Sequence, residues 1–277
     1  MSLHHFFLDE QVLAHETDEA FPLRLARDDA KHARVLRLEV GEHIAVVDAD
    51  RDYFECEIVS FDDAVPLVRI ARRVEDEAVE PTVILLQGLA KGDKMETVIR
   101  HATEVGVSGF VPLKCARSIV KIDEKKVATR CDRWRAIAKS AAMQSGRRFV
   151  PEVTEPQTIA QACELVASAT CVLICWEEAP LSCSLHEAIA QGLTQTRTPP
   201  ADARVAVVVG PEGGLSQAEV DKLLSCNPRA RLVSLGASIL RTETAGIVAP
   251  ALALHELGGL GNGHAHAPSA FGDGGGA

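Results

Sequence analysis

Val207-Val208-Val209-Gly210-Pro211-Glu212-Gly213-Gly214-Leu215-Ser216 reads as a buried strand that runs into a glycine-rich turn and then a capped helix. Gly213 and Gly214 carry no side chains, so main-chain N–H groups there are open to a ligand. The carboxyl end of a strand followed by a helix N-terminus is the usual ligand position in α/β sheets. The turn is not a P-loop, because the Lys-Ser/Thr pair is missing, and it is not GxGxxG. The stretch Gly88 to Lys94 fails the P-loop pattern too, on its glycine spacing. Read alone, the turn is also compatible with a structural role.

Around it lie further short apolar runs, Val83–Gln87, Gly109–Pro112, Cys171–Trp176, Val205–Gly210 and Arg231–Leu235, the pattern of a buried parallel sheet. Helices are expected at Lys94–Val105, Lys126–Ser145, Ile159–Ala167, Leu185–Gln191, Gln217–Ser225 and Thr242–Leu257, with capping boxes at Ser184/Glu187 and Ser216/Glu219. The first 74 residues differ. Runs at Ile44–Asp48, Tyr53–Ser60 and Leu67–Ala71, separated by acidic turns, predict a small β-barrel or compact sheet. The charged stretch Glu75–Pro81 marks the boundary, so the expected units are 1–74 and 80–257. From Gly258 the last 20 residues hold 8 glycines and no apolar period, which predicts a disordered tail over 258–277.

The chain has 277 residues and a formal charge of −10, which argues against holding nucleic acid by bulk attraction. The charge is segregated, however. Residues 88–150 carry 14 basic and 6 acidic side chains, while both flanks are acidic. That middle segment reads either as an anion-facing surface or as a solvated helix face. The 8 cysteines are scattered, with neither a CxxC pair nor zinc-type histidine spacing, and read as buried thiols. No metal site is expected, since adjacent His4 and His5 on an extended chain point to opposite faces. The absence of a signal-like segment and the shortness of the apolar runs fit a reducing cytoplasm.

A second strand–glycine–helix passage spans Leu235 to Ala245. Thr242 can cap the helix and Glu243 suits its positive end, but Arg241 opposes the dipole and calls for an anionic partner.

Together with His32-Ala-Arg-Val-Leu-Arg37, Lys91-Gly-Asp-Lys94-Met-Glu96, Thr103-Glu-Val-Gly-Val107, Gln144-Ser-Gly-Arg147 and the GPEGG turn, the run Leu240-Arg241-Thr242-Glu243-Thr244-Ala245 resembles the RsmE-type 16S rRNA uridine-N3 methyltransferases of the SPOUT (trefoil-knot) superfamily. The resemblance covers nearly the whole chain. It implies an α/β knotted, parallel-sheet methyltransferase domain preceded by a PUA-like β-barrel that helps bind RNA, and a homodimer. It also implies S-adenosyl-L-methionine as cofactor, 16S rRNA of the small ribosomal subunit as partner, and N3-methylation at uridine 1498. The family's cofactor loops map onto Leu173, Trp176, Gly210, Glu212, Gly213, Leu235, Gly236, Leu240 and Thr242. Arg241 is expected to stabilise charge developing on uracil, with Glu243 orienting Arg241 or taking the N3 proton. His32, Arg37, Lys91, Lys94, Arg117 and Arg147 are the expected RNA contacts. The chain departs from the family's pattern at His4 or His5, His101, Met143 and Ser238.

Overall fold

The Val205–Val209 run alternates between two cores. Val205, Val207 and Val209 pack under one helical layer, while Ala206 and Val208 pack under the other. All five are buried, as a strand covered on both faces requires. The structure, a computed structural model, describes residues 3–62, 65–74, 80–120, 123–182 and 184–260.

The first unit comprises β1 (His4–Phe7), β2 (Phe21–Pro22), α1 (Arg27–Leu36), β3 (His43–Val47), β4 (Tyr53–Asp62) and β5 (Val65–Val74). Its five strands run in the order β1-β3-β4-β5-β2, with β1 parallel to β3 and the other pairs antiparallel. The three expected runs are all strands. Among the described residues these pairings form an open path, with β1 and β2 at its edges, so the compact sheet is observed and barrel closure is not. The sequence reading missed α1, on which only Asp29 and Ala33 are buried, and β1, whose pairing with β3 is a long-range event.

The second unit contains β6 (Thr82–Gly88), α2 (Lys94–Glu104), β7 (Gly109–Lys114), α3 (Glu124–Ser145), β8 (Glu152–Val153), β9 (Gln157–Thr158), α4 (Ile159–Val166), β10 (Cys171–Cys175), α5 (Leu185–Thr196), β11 (Arg204–Val209), α6 (Gln217–Ser225), β12 (Ala230–Val233) and α7 (Thr242–Glu256). Its sheet has the order β12-β10-β11-β6-β7-β8, with β9 on β7, and every pairing is parallel. Helices α2, α3, α5 and α7 cover one face, and α4 and α6 the other. The result is a three-layer α/β/α arrangement.

Helix starts follow local chemistry. Ser216 and Glu219 form the expected reciprocal box, and Thr158 with Gln161 forms another. At Ser184 only half of the box is present, its hydroxyl accepting from the Glu187 N–H. Helix α7 can lie against β6 because Gly246 has no side chain, since a Cβ there would overlap Gln87 Oε1.

The two units share α3. Ala142 and Met143, at its C-terminal end, enter the core of the first unit beside Phe6, Val46 and Phe54, and Lys139 pairs with Asp29 at 2.8 Å and Asp9 at 3.5 Å. Residues 75–79 of the boundary stretch and residues 261–277 of the glycine-rich tail lie outside the described residues, as do Lys121 of the basic segment and Cys183. The seven described cysteines are free thiols. Among the described residues no helix is long and apolar enough to cross a membrane.

Candidate functional site

Strands β10, β11 and β12 are neighbours, and the chain leaves all three at the same edge of the sheet. Their following segments, Cys175–Leu181, Val209–Gly214 and Val233–Arg241, enclose a cavity of about 700 Å³, within the range of small-molecule sites. The sheet order reverses beside it, at the junction of β11 and β6, where open α/β sheets form their ligand crevice.

The turn after β11 is shaped by its neighbours. Gly214 has φ +69°, a conformation that suits glycine, and a Cβ on it would meet the Glu177 carboxylate. Glu212 reaches the other way, its Oε1 accepting the Lys91 N–H at 2.9 Å and lying 3.2 Å from Lys94 Nζ. Burial raises the Glu212 pKa, but the Lys91 N–H, its own N–H and the Lys94 ammonium outweigh that and hold it below the usual carboxylate range.

The start of α7 sits behind this turn. Arg241 occupies the N-cap position with no side-chain cap, which corrects the expectation that Thr242 is the cap. Thr242 is instead the first helical residue and buried. Its hydroxyl donates to the Gly210 carbonyl at 2.6 Å and accepts from Gln87 Nε2 at 2.8 Å. One side chain thus joins α7, the GPEGG turn and β6. The Arg241 side chain is exposed on the cavity rim, and it makes no hydrogen bond or ion pair among the described residues. Such a cation at a helix N-terminus opposes the helix dipole unless an anion meets it.

Of the residues expected to hold the cofactor, Trp176, Gly210, Glu212, Gly213, Leu235, Gly236, Leu240 and Thr242 line the cavity. Leu173 does not. It is fully buried inside β10, two positions short of the first lining residue, and packs in the core. Trp176 contributes an indole Nε1 that is buried and lacks an acceptor among the described residues. Glu177, Ala179 and Leu181 in the loop after β10, and Ile239 in the loop after β12, also line the cavity; the sequence reading placed cofactor loops there without singling these residues out. Folding brings the loop after β10 beside the other two.

Glu243 lies outside the lining and faces Lys94, at 3.2 Å, rather than Arg241. Among the described residues Glu243 makes no hydrogen bond or ion pair with Arg241, so any orienting effect on Arg241 runs through the Lys94 ion pair. The expected RNA contacts separate into two groups. His32, Arg37, Lys91 and Arg117 are exposed, with Arg37 in the left-handed C-cap of α1 and Arg117 donating to the Gly213 carbonyl at 3.3 Å. Lys94 and Arg147 are engaged internally. Arg147 Nη1 donates to the carbonyls of Thr103 and Val107, and its guanidinium stacks over Phe149 at 4.3 Å. Burial pulls its pKa down to about 10, and it stays charged at neutral pH.

Other members of the basic segment are also paired, Arg133 with Glu96 and Arg135 with Asp132. At the departures from the family pattern, His5 and Met143 are buried, His101 pairs with Glu104, and Ser238 lines the cavity. Among the described residues there is no group of three or more His, Cys, Asp or Glu side chains that could hold a metal ion.

Comparison with known proteins agrees with this geometry. The family described as RNA methyltransferase domain matches residues 78–254. Ribosomal RNA small subunit methyltransferase E of Bacillus subtilis is 32% identical over 243 residues, spanning 86% of this chain and 92% of that protein. Its namesake from Mycobacterium bovis is 31% identical over 227 residues, spanning 80% and 82%. Among solved structures, a Legionella pneumophila protein in complex with the bound cofactor SAM superimposes with a TM-score of 0.74 at 27% identity, over 92% of this chain and 98% of that one. Ribosomal RNA small subunit methyltransferase E from Neisseria gonorrhoeae, bound to S-adenosyl methionine, gives 0.72 at 25% identity, over 91% and 96%. A parallel α/β sheet with a built cavity at three adjacent strand ends, matched over most of its length by these proteins, makes the chain a member of the RNA methyltransferase domain family, of the RsmE type.

Proposed function

We propose that this protein transfers a methyl group from S-adenosyl-L-methionine to N3 of uridine 1498 in 16S rRNA of the small ribosomal subunit. The observation that carries the reading is the cavity closed by the segments after β10, β11 and β12, with an unpaired Arg241 on its rim. The residues fit the cofactor. Backbone of Gly210–Gly214 and Leu235–Leu240 can read adenine and ribose, and the buried Trp176 N–H is a donor in want of an acceptor. The printed names of the relatives, and the S-adenosyl methionine in the gonococcal structure, support the same assignment.

Bound there, S-adenosylmethionine supplies the electrophilic methyl group. Uracil N3 carries a proton whose pKa is on the order of 9 to 10, so the nucleophile must lose it as the bond to carbon forms. Arg241 stabilises the negative charge that spreads onto the uracil oxygens, and the proton leaves to solvent. Glu243 acts through the ion pair behind the wall rather than on the base itself.

The exposed His32, Arg37, Lys91 and Arg117 contact RNA phosphates. Units 1–74 and 80–257 act as a PUA-like RNA-binding domain and a trefoil-knot domain. A homodimer belongs to the same reading.

The test is methyl transfer from labelled S-adenosylmethionine to unmodified small subunits and to naked 16S rRNA, with mass spectrometry of the digested nucleosides. N3-methyluridine is the expected product, and Arg241→Ala lowers turnover at least 100-fold with cofactor affinity nearly unchanged. A ribose-methylated nucleoside overturns the assigned atom. Binding of cofactor and RNA with no incorporation points to an assembly factor instead.

A further inference from the structure

We infer that Lys94 is a positioning residue of the methyl-transfer site, acting through Glu212 and Glu243 to fix the α7 start that carries Arg241, and is not an RNA contact. The inference rests on the methyltransferase reading. Lys94 opens α2 and lines the cavity, and its Nζ lies 3.2 Å from Glu212 Oε1 and 3.2 Å from Glu243 Oε2. These two carboxylates belong to the two segments that matter most here, the GPEGG turn and the first turn of α7. Arg241 is two residues from Glu243, so the ion pair restrains the backbone from which the guanidinium projects.

The ammonium is flanked by both carboxylates, with about a quarter of its side chain exposed. The two glutamates raise the Lys94 pKa, so the cation persists through the neutral range. The two carboxylate oxygens are also no further apart than twice their distance to the ammonium. Without Lys94 the Glu212 carboxyl loses one of the contacts that hold its pKa down.

The experiment compares wild type, Lys94→Met, Lys94→Arg, Glu243→Gln and the Lys94→Met/Glu243→Gln double variant. Readouts are turnover at saturating small subunits across pH, the S-adenosylmethionine dissociation constant, and the salt dependence of RNA binding. Lys94→Met is expected to lower turnover about tenfold and to steepen its loss on the acid side, with the RNA salt slope unchanged. Lys94→Arg restores most of the activity. Glu243→Gln adds less than its single effect in the Lys94→Met background, in turnover and in cofactor affinity alike.

A salt slope reduced by about one in Lys94→Met, with turnover at saturation intact, overturns the inference, because that is the signature of a phosphate contact. So does full additivity in the cycle. If wild type transfers no methyl group, the functional reading fails, and the same cycle in cofactor affinity decides the role of Lys94. Lys94→Arg guards against a Lys94→Met variant that folds poorly.

Discussion

Replacing Thr242 by valine removes one oxygen at the point where α7, the GPEGG turn and β6 meet. Thr242 is 7% exposed and Gln87 is 1% exposed, so water does not replace what the hydroxyl supplied. The Gly210 carbonyl loses a donor at 2.6 Å. The Gln87 amide nitrogen loses an acceptor at 2.8 Å and keeps a longer contact, 3.3 Å, to the Gly88 carbonyl. An unsatisfied buried polar group costs about 1–3 kcal/mol. One group fully stranded and one partly stranded together cost about 2–4 kcal/mol. In a chain of this size that is a fall in Tm on the order of 5–10 °C. Thr242→Ser keeps the hydroxyl and loses a methyl, about 1 kcal/mol. Denaturant unfolding of wild type, Thr242→Val and Thr242→Ser isolates the hydroxyl as the gap between the two variants. S-adenosylmethionine affinity in the same samples should fall further for valine, because the loosened turn is a wall of the cavity. A valine variant as stable as the serine variant, or within about 0.5 kcal/mol of wild type, refutes the tie as the element that fixes this junction.

Arg147→Met leaves the carbonyls of Thr103 and Val107 without their charged donor, for a destabilisation of about 2–4 kcal/mol by denaturant unfolding. The salt slope of RNA binding should not change, and a slope reduced by about one would return Arg147 to the RNA surface. Burial is the main cause that pulls the His5 pKa below its ordinary 6.5, so the unfolded chain binds a proton before the folded one does as pH falls. The stability His5 contributes is full above 6.5 and is lost as pH drops through its lowered folded value. His5→Gln should flatten that acid-side slope in unfolding free energy, and an unchanged slope would place the sensitivity elsewhere.

Much of this molecule was legible along the chain. Five largely apolar runs became the strands β6, β7, β10, β11 and β12, because strands inside a covered sheet are largely apolar and leave that mark locally, least so at the edge strand β12 with its Arg231. The Ser216/Glu219 box marked the start of α6 for the same reason, since its donors and acceptors lie within four residues of one another. The glycine turn and the odd cation at Arg241 mark two walls of the cavity in the sequence itself. Tertiary structure decided the rest. Leu173 and Trp176 differ by three positions on one apolar run, yet only the second reaches the cavity, because the strand ends between them. Lys94, Arg147 and Arg117 are all basic residues of one charged segment. One joins two carboxylates, one is half-buried against carbonyls and a ring, and one stays exposed. Charge is written in the sequence, but the partner of a charge is set by which distant segments the fold brings within a few ångströms. Thr242 read as a helix cap for the same reason, and folding gave its hydroxyl to Gly210, 32 residues away.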